Sequence, residues 1–271
     1  MSTGQRSWRV RGQNFCIEYT WISTGEALPE LDLEDEHVVL VPEETSIRLA
    51  VPLEGEVSID GPALVVVPAG TSRVIADDSG QIMRVFTARA TDVLATACNS
   101  AMYTAPDLAV APLPEKPTQS PGTVRIHRAG EIPEEPTRFG RIFRTDSLMI
   151  NWFEPQDGAR DTDLLTPHVH DDFEQASVTL QGDYVHHLRS PWTARLREWR
   201  DDQHVRCASP SVTVIPPGNI HTSRAVDAGR HQLVDVFAPP REDFLERGWV
   251  VNSTDYEAGY GSPAARAGDG A

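Results

Sequence analysis

The chain has 271 residues, of which 39% are apolar, enough to build the core of one large domain or of two ordinary ones. Its 40 acidic and 24 basic residues give a formal charge of −16. This charge argues against nucleic acid or an anionic membrane surface as a partner, because phosphate binding depends on clustered cations. Lys116 is the single lysine, which excludes Schiff-base, pyridoxal-phosphate and P-loop enzymes. We therefore expect a small-molecule partner.

The cysteines and the start of the chain indicate the compartment. Cys16, Cys98 and Cys207 are far apart and odd in number, so we expect reduced thiols. The first residues lack the apolar core of a signal peptide, and no apolar run reaches the ~18 residues that a membrane helix needs. These features predict a cytoplasmic protein.

Short apolar runs closed by proline or glycine fill the first half and are typical of an all-β protein. They predict strands at 37–42, 46–52, 56–60, 63–68 and 83–88, with hairpin turns around Gly55 and Gly61. Residues 92–101 can form either a helix or an irregular connection. The first half is thus predicted to form one β-rich domain over residues 1–110.

Residues 105–123 carry five prolines and Lys116, and this composition is typical of an extended connector. We predict a linker at 111–123 and a second domain at 124–250. The second domain should contain a short helix at 242–247 and strands at 148–153, 174–180, 183–189, 211–215 and 233–237. The small, polar residues of the tail at 251–271 predict that it is largely disordered.

The two halves share a weak internal repeat. Gly55 corresponds to Gly182, and the pattern P-x-G-x-x-R that ends at Arg73 corresponds to P-x-G-x-x-H that ends at His221. A duplicated β-unit explains both correspondences.

Two patterns in the second half carry the chemistry. One is H-x-H-x-x-x-E at residues 168–174, and the other is P-x-G-x-x-H at 216–221. Two histidines at i and i+2 on a strand point to one face, so both imidazoles can reach a single ion. Scattered surface histidines are the alternative, but both patterns lie next to predicted strands. Three imidazoles and one carboxylate suit Fe²⁺, Mn²⁺, Zn²⁺, Ni²⁺ or Co²⁺ better than Ca²⁺. The candidate ligands are His168, His170, Glu174 and His221.

These patterns resemble the two motifs of the cupin superfamily, G-x5-H-x-H-x(3,4)-E-x6-G and G-x5-P-x-G-x2-H-x3-N. The glycine and asparagine positions of those motifs are not matched in this sequence. No glycine precedes His168 by six residues, and Gly182 comes one residue late. In the second motif Pro210 replaces the first glycine and Ala225 replaces the final asparagine. The resemblance implies a jelly-roll β-barrel over about residues 124–240 with the metal bound inside by the four candidate ligands.

Residues 37–100 resemble a second cupin barrel that has lost its metal ligands, with Arg73 at the position of His221. Arg73 would then form a structural salt bridge or hold an anionic ligand. The whole chain thus resembles an all-β bicupin, two jelly-roll barrels in tandem of which only the second binds metal. Cupins commonly dimerise through barrel edges, so the resemblance also implies a homodimer.

Further candidates lie on the strand after Gly182. Because side chains alternate, either His186 or His187 faces the barrel interior, where it could carry protons or form part of the wall. Tyr184 is a candidate substrate contact. Gln175 follows a predicted ligand and is expected, by alternation, to point outward.

The long connection at 191–204 mixes aromatic residues with arginines. Trp192, Arg195 and Arg197 are candidate substrate contacts if this segment covers the cavity, with Trp199 as a further apolar wall. Packing against the partner barrel or a second subunit is the alternative.

Open coordination positions on such an ion allow catalysis. The resemblance to the cupin superfamily favours an Fe²⁺ dioxygenase acting on a small oxygen-bearing organic substrate. A Zn²⁺, Mn²⁺ or Ni²⁺ isomerase or lyase and a non-catalytic small-molecule-binding protein are the alternatives.

Overall fold

The computed structural model describes residues 7–115, 122–133, 135, 138 and 140–256. Lys116 and the central part of the predicted linker, at 116–121, lie outside the described residues, as do residues 257–271 of the predicted tail. Strands dominate the described chain, so the predicted all-β class is confirmed. None of the described helices is long and apolar enough to cross a membrane. The three cysteines carry free thiols.

The first barrel consists of two antiparallel sheets. One has the strand order β1-β2-β9-β4-β7-β10 and the other β3-β8-β5-β6. A short helix α1 (Thr91–Ala95) and a 3-10 turn (Ser100–Tyr103) follow β9. The strands are β1 (Ser7–Arg11), β2 (Phe15–Ile22), β3 (Leu31–Leu33), β4 (His37–Val41), β5 (Ser46–Val51), β6 (Gly55–Asp60), β7 (Ala63–Val67), β8 (Gly70–Ala76), β9 (Gly80–Thr87) and β10 (Arg125–Arg128).

The second barrel repeats this plan. One sheet has the order β11-β12-β19-β14-β17, with β13 paired to β19, and the other has the order β16-β15-β18. Helix α2 (Glu242–Glu246) follows the last strand. The strands are β11 (Arg141–Arg144), β12 (Met149–Trp152), β13 (Gln156–Asp157), β14 (Gln175–Gln181), β15 (Asp183–Arg189), β16 (Gln203–Ala208), β17 (Ser211–Ile215), β18 (Ile220–Ala225) and β19 (Arg230–Phe237).

The five strands predicted in each half are all present, within a few residues of the predicted bounds. Within the described residues the prediction missed nine strands, several of which are short or rich in charge, such as β10 and β16. Strand β10 pairs with β7, with Arg125 opposite Val66, so it completes a sheet of the first barrel although the prediction placed it in the second domain. Residues 251–256, predicted as part of a disordered tail, include a 3-10 turn (Ser253–Tyr256).

The interior of the first barrel is filled with aliphatic side chains. On β4 and β7, alternate residues such as Val39 and Val65 point inward, and both are fully buried. The rest of this interior comes from Ile22, Leu28, Val41, Ile47, Leu49, Val51, Ile59, Ala63, Val67, Val74, Ala76 and Ile82. Burial of each valine, leucine or isoleucine side chain contributes about 1.5–3 kcal/mol, so hydrophobic packing is the main interaction that stabilises this barrel.

The remaining residues of the same strands join the barrels. Val38 and Leu40 of β4 belong to a second apolar cluster, which they share with Ile150 of β12 and Val178 of β14. Sheets β1-β2-β9-β4-β7-β10 and β11-β12-β19-β14-β17 therefore share one continuous core between the barrels. Because Ala176, Val178 and Leu180 of β14 face that shared core, the alternate side chains of β14 face the interior of the second barrel.

A cluster of hydrogen bonds around the buried carboxylate of Glu36 also joins the two halves of the chain. Nη2 of Arg125 donates to Oε1 of Glu36 at 2.6 Å, and the Tyr256 hydroxyl donates to Oε2 of Glu36 at 2.8 Å. Burial raises the pKa of Glu36, and the neighbouring Arg125 guanidinium opposes that rise. These contacts fix the chain that follows the second barrel against β4 and β10 of the first.

Candidate metal centre

The structure brings three of the four predicted ligands together. The candidate ligand nitrogens of His168, His170 and His221 all lie within 4.8 Å of one another. His168, before β14, and His221, on β18, exchange two backbone hydrogen bonds of 3.0 and 2.8 Å. The Gly218 amide donates to the carbonyl of His170, with a φ of 77° that suits glycine. The two motifs are thus tied together by their backbones.

The hydrogen bonds of the imidazoles select the tautomer that a metal needs. Nδ1 of His168 lies 2.9 Å from the carbonyl oxygen of Thr166, and Nδ1 of His221 lies 2.9 Å from that of Asn219. Since a carbonyl only accepts, each Nδ1 carries a proton, so the neutral form of each ring has its lone pair on Nε2. Orientation of ligand imidazoles by a backbone carbonyl is common at metal sites.

Burial keeps two of these imidazoles uncharged. Desolvation lowers the pKa of His170 to about 3, and nearby Arg241 adds to the effect. Desolvation lowers the pKa of His221 to about 4. The ring of Phe173 stacks on His170 with 4.5 Å between centroids. Neutral imidazoles are the form that binds a cation, so the site is ready for metal near neutral pH.

Glu174 does not join the histidines, so the structure does not support its prediction as the fourth ligand. Its Oε1 accepts a hydrogen bond of 3.0 Å from the Tyr103 hydroxyl, and its Oε2 accepts one from the backbone amide of Gln13. Both donors belong to the first barrel. Burial raises the pKa of Glu174, and these two hydrogen bonds oppose that rise. Glu174 therefore links the two barrels.

Gln175 takes the place expected for Glu174, and the prediction that it points outward is wrong. Its Oε1 lies 3.0 Å from Nε2 of His170 and 3.2 Å from Nε2 of His221. The sequence signal that could have identified Gln175 is its spacing from the histidines, H-x-H-x4-Q, because the cupin motif allows three or four residues between the second histidine and the acid. The match was missed because position 175 is a glutamine and not an acid.

The side chain of Gln175 continues a buried hydrogen-bonded chain. Its Nε2 donates to Oγ of Ser177 at 3.0 Å, and Ser177 donates to Oδ1 of Asp235 at 2.7 Å. Asp235 is on β19, directly opposite Ser177. Burial raises the pKa of Asp235 to about 7, against the opposing effect of the Ser177 hydrogen bond.

A cavity of about 190 Å³ opens beside this group. His168, His221 and Gln175 form part of its wall, and Asp235 and Tyr184 form another part. The other lining residues are Phe153, Glu154, Gln156, Arg160, Thr166, Thr222, Ser223, Ala225, His231 and Leu233. The predicted substrate contact Tyr184 is therefore at the cavity, next to polar and apolar groups alike.

Of the two candidate proton carriers, only His186 faces the interior. Its Nδ1 lies 2.7 Å from Oγ of Ser223, and burial lowers its pKa to about 4. It does not line the 190 Å³ cavity. His187 points to the opposite face of the sheet, where its Nδ1 lies 2.7 Å from Nδ1 of His204 and its Nε2 accepts from Arg224. This position does not support a catalytic role for His187.

The connection before β16 does not cover the cavity. Trp192 and Trp199 stack on each other with centroids 4.3 Å apart, and 75% of Trp192 is exposed. Arg195 pairs with Glu198 at 3.0 Å, and Arg197 is exposed. The structure therefore does not support Trp192, Arg195 and Arg197 as substrate contacts, since none of them lines the cavity.

Arg73 does not occupy the interior position of His221. It is exposed on β8, whereas its neighbours Ser72 and Val74 are buried. The interior of the first barrel is lined by aliphatic side chains, which supply no hydrogen bond to an anion. Among the described residues, the histidine group of the second barrel is the one cluster of three side chains that could hold a metal ion.

Comparison with known proteins gives matches in structure but not in sequence. No family model matches the chain, and no curated protein matches it. AerE from Microcystis aeruginosa has a TM-score of 0.55 at 8% identity, over 89% of this chain and 96% of that one. The formate complex of oxalate decarboxylase from Lactobacillus farciminis has a TM-score of 0.56 at 14% identity, over 89% and 84%. Hazelnut vicilin, from Corylus avellana, has a TM-score of 0.51 at 12% identity, over 89% and 85%. At such identities the similarity establishes the fold alone.

Proposed function

We propose, from the tandem cupin fold that the chain has in common with these structures, that it is a metal-dependent enzyme acting on a small oxygen-bearing organic substrate. The observation that carries the proposal is the group of three histidines beside a 190 Å³ cavity. A concave cavity with a few convergent polar groups is the usual form of a small-molecule site.

The donor set fits a divalent transition ion. The carbonyls of Thr166 and Asn219 bind Nδ1 of His168 and His221, so Nε2 of each neutral ring is available to an ion. Neutral imidazoles suit Fe²⁺, Mn²⁺, Zn²⁺, Ni²⁺ and Co²⁺. An ion bound here would supply Lewis acidity and, as Fe²⁺, the chemistry of dioxygen. We propose Fe²⁺ and a dioxygenase reaction as the first candidate.

The chain's own residues would bind and orient the substrate. The guanidinium of Arg160 is fixed by hydrogen bonds of 3.0 Å to the Ser223 carbonyl and 3.1 Å to Oγ1 of Thr166. Because it lines the cavity, it can orient an anionic oxygen of the substrate. Phe153 and Leu233 supply apolar walls that exclude water from the substrate.

A second candidate, an isomerase or lyase that uses no dioxygen, is favoured by Asp235. This carboxyl group is buried in the wall of the cavity that His168 and His221 also line. A carboxylate so placed could take a proton from the carbon beside a substrate carbonyl, and a bound ion would supply Lewis acidity to that carbonyl.

Metal analysis and oxygen uptake separate these reactions. The protein is purified without chelator, its metal is identified by elemental analysis, and O₂ consumption is followed with β-diketones, hydroxyaromatic acids and keto sugars. Iron with substrate-dependent uptake supports the dioxygenase. Zinc, manganese or nickel with turnover but no uptake supports the isomerase or lyase. Bound metal without turnover of any of these compounds contradicts both and favours a small-molecule-binding protein.

A further inference from the structure

We propose that Gln175 is the fourth protein ligand of the metal centre, through Oε1, and that Ser177 and Asp235 hold its amide in the orientation that makes this binding possible. The inference rests on the metal centre proposed above and adds to it a neutral ligand together with two positioning residues.

The first argument is the direction of the lone pairs. Nδ1 of His221 donates to the carbonyl of Asn219, so Nε2 of His221 carries a lone pair. Oε1 of Gln175 also carries lone pairs, and it lies 3.2 Å from that Nε2. Two acceptors at such a distance repel each other unless a proton or a cation lies between them. A shared metal ion makes the arrangement favourable.

The second argument is the chain of hydrogen bonds behind the amide. The Ser177 hydroxyl donates its hydrogen to Oδ1 of Asp235, at 2.7 Å. Oγ of Ser177 is then left as an acceptor, and the group 3.0 Å away on Gln175 must be the amide nitrogen. The amide oxygen is thereby turned toward His170 and His221. Ser177 is fully buried, so water does not compete for these bonds.

The proposal has a consequence for charge. Three neutral imidazoles and a neutral amide leave both positive charges of a divalent ion uncompensated by the protein. A glutamate ligand would cancel one of them. The centre is therefore suited to a substrate that binds through an anionic oxygen, such as a carboxylate or an enolate, with Arg160 in the same cavity wall.

Metal titrations test the ligand. Metal-stripped protein is titrated with Co²⁺ in competition with a chelating dye, and the visible spectrum of bound Co²⁺ reports the ligand set. We expect Gln175→Ala to bind Co²⁺ about tenfold more weakly or worse and to change its spectrum. Gln175→Glu should bind at least as tightly as the parent and should lower the affinity of bound Co²⁺ for azide, since the extra negative charge repels the anion.

A double-mutant cycle tests the positioning role. Ser177→Ala should weaken Co²⁺ binding about tenfold in the parent, because the amide can then turn its nitrogen toward the ion. In a Gln175→Glu background the same change should have little effect, since both ends of a carboxylate are oxygens. A purely structural role of Ser177 would weaken binding equally in both backgrounds. Thr179→Ala is the matched control, because Thr179 is equally buried two residues further along β14 and its Oγ1 has no hydrogen-bond partner.

The outcomes are distinguishable from failure of the metal centre itself. If His168→Ala loses Co²⁺ while folded Gln175→Ala keeps the parental affinity and spectrum, the fourth ligand is wrong and the three-histidine centre remains. If His168→Ala binds Co²⁺ like the parent, the proposed function fails as well. Should Gln175→Ala not fold, the spectrum and azide affinity of Gln175→Glu decide, and parental values for both overturn the proposal.

Discussion

Glu174 and Gln175 are consecutive residues whose side chains serve different parts of the molecule. The carboxylate of Glu174 accepts from Tyr103 of the first barrel at 3.0 Å. Oε1 of Gln175 lies 3.0 Å from Nε2 of His170 in the second. The alternation of an extended chain separates the two functions, one joining the barrels and the other facing the candidate metal centre.

Replacement of Glu174 should therefore affect stability and not metal binding. In Glu174→Gln one of the two buried donors, the Tyr103 hydroxyl or the Gln13 amide, loses an ionised acceptor. We expect the free energy of unfolding to fall by about 1–3 kcal/mol, measured by denaturant titration. The Co²⁺ affinity should stay within twofold of the parent. A loss of the metal at unchanged stability would restore Glu174 as a ligand.

Removal of a histidine should have the opposite effect: metal binding should be lost while the fold is kept. His168→Ala and His221→Ala should abolish metal retention through purification, measured by elemental analysis, while circular dichroism shows the β-rich fold intact. Each removes one of three convergent nitrogens. Arg73→Ala is the control, because Arg73 is exposed on the first barrel, and its metal content should equal that of the parent.

His37 should make the stability of the metal-free protein depend on pH. It is fully buried at the start of β4, and burial, followed by the nearby Arg84, lowers its pKa to about 3. The unfolded chain binds a proton at this histidine below about pH 6.5 whereas the folded chain does not. His37 thus favours unfolding increasingly as the pH falls from 6.5 toward 3, by about 1.4 kcal/mol per pH unit.

The variant His37→Gln should lack this contribution. Denaturant titrations at pH 7 and pH 5 give the change in the free energy of unfolding for parent and variant. That change should be more unfavourable in the parent by roughly 1–2 kcal/mol. Equal changes would mean that the imidazole becomes protonated in the folded barrel.

The exposed connection before β16 should not contribute to the chemistry. Trp192→Ala and Arg195→Ala alter side chains that lie outside the 190 Å³ cavity. We expect parental Co²⁺ affinity and, once a substrate is known, a parental KM. The matched test is Tyr184→Phe, which changes a side chain in the cavity wall and should alter the KM. A raised KM in Trp192→Ala would show that this segment closes over the cavity during the reaction.

The homodimer and the cytoplasmic location remain predictions, which sedimentation and cell fractionation can test.

The sequence by itself determined the all-β class, the tandem arrangement and the three histidines. Short apolar runs between turn residues are local signals, and so is the spacing of the two histidine motifs, because both are read within a few residues of the chain. The strand predicted to carry His168 and His170 is absent, since His168 forms only an isolated bridge with His221. The correspondence of P-x-G-x-x-R with P-x-G-x-x-H, which lead into β8 and β18, likewise needs no tertiary information. The predicted correspondence of Gly55 with Gly182 is wrong, because Gly55 lies at the turn from β5 to β6 whereas Gly182 lies at the turn from β14 to β15.

Tertiary structure alone decided which face of each strand lines the cavity. On β14 the polar residues Gln175 and Ser177 alternate with apolar Ala176 and Val178. Alternation does not show which face is the interior, and the usual expectation puts apolar side chains there. Here the apolar face is buried against the first barrel, so the polar face is free to line the cavity. The same choice of face placed Gln175 at the histidines, Glu174 at the junction between the barrels and His187 outside, because a shift of one residue moves a side chain to the opposite side of the sheet.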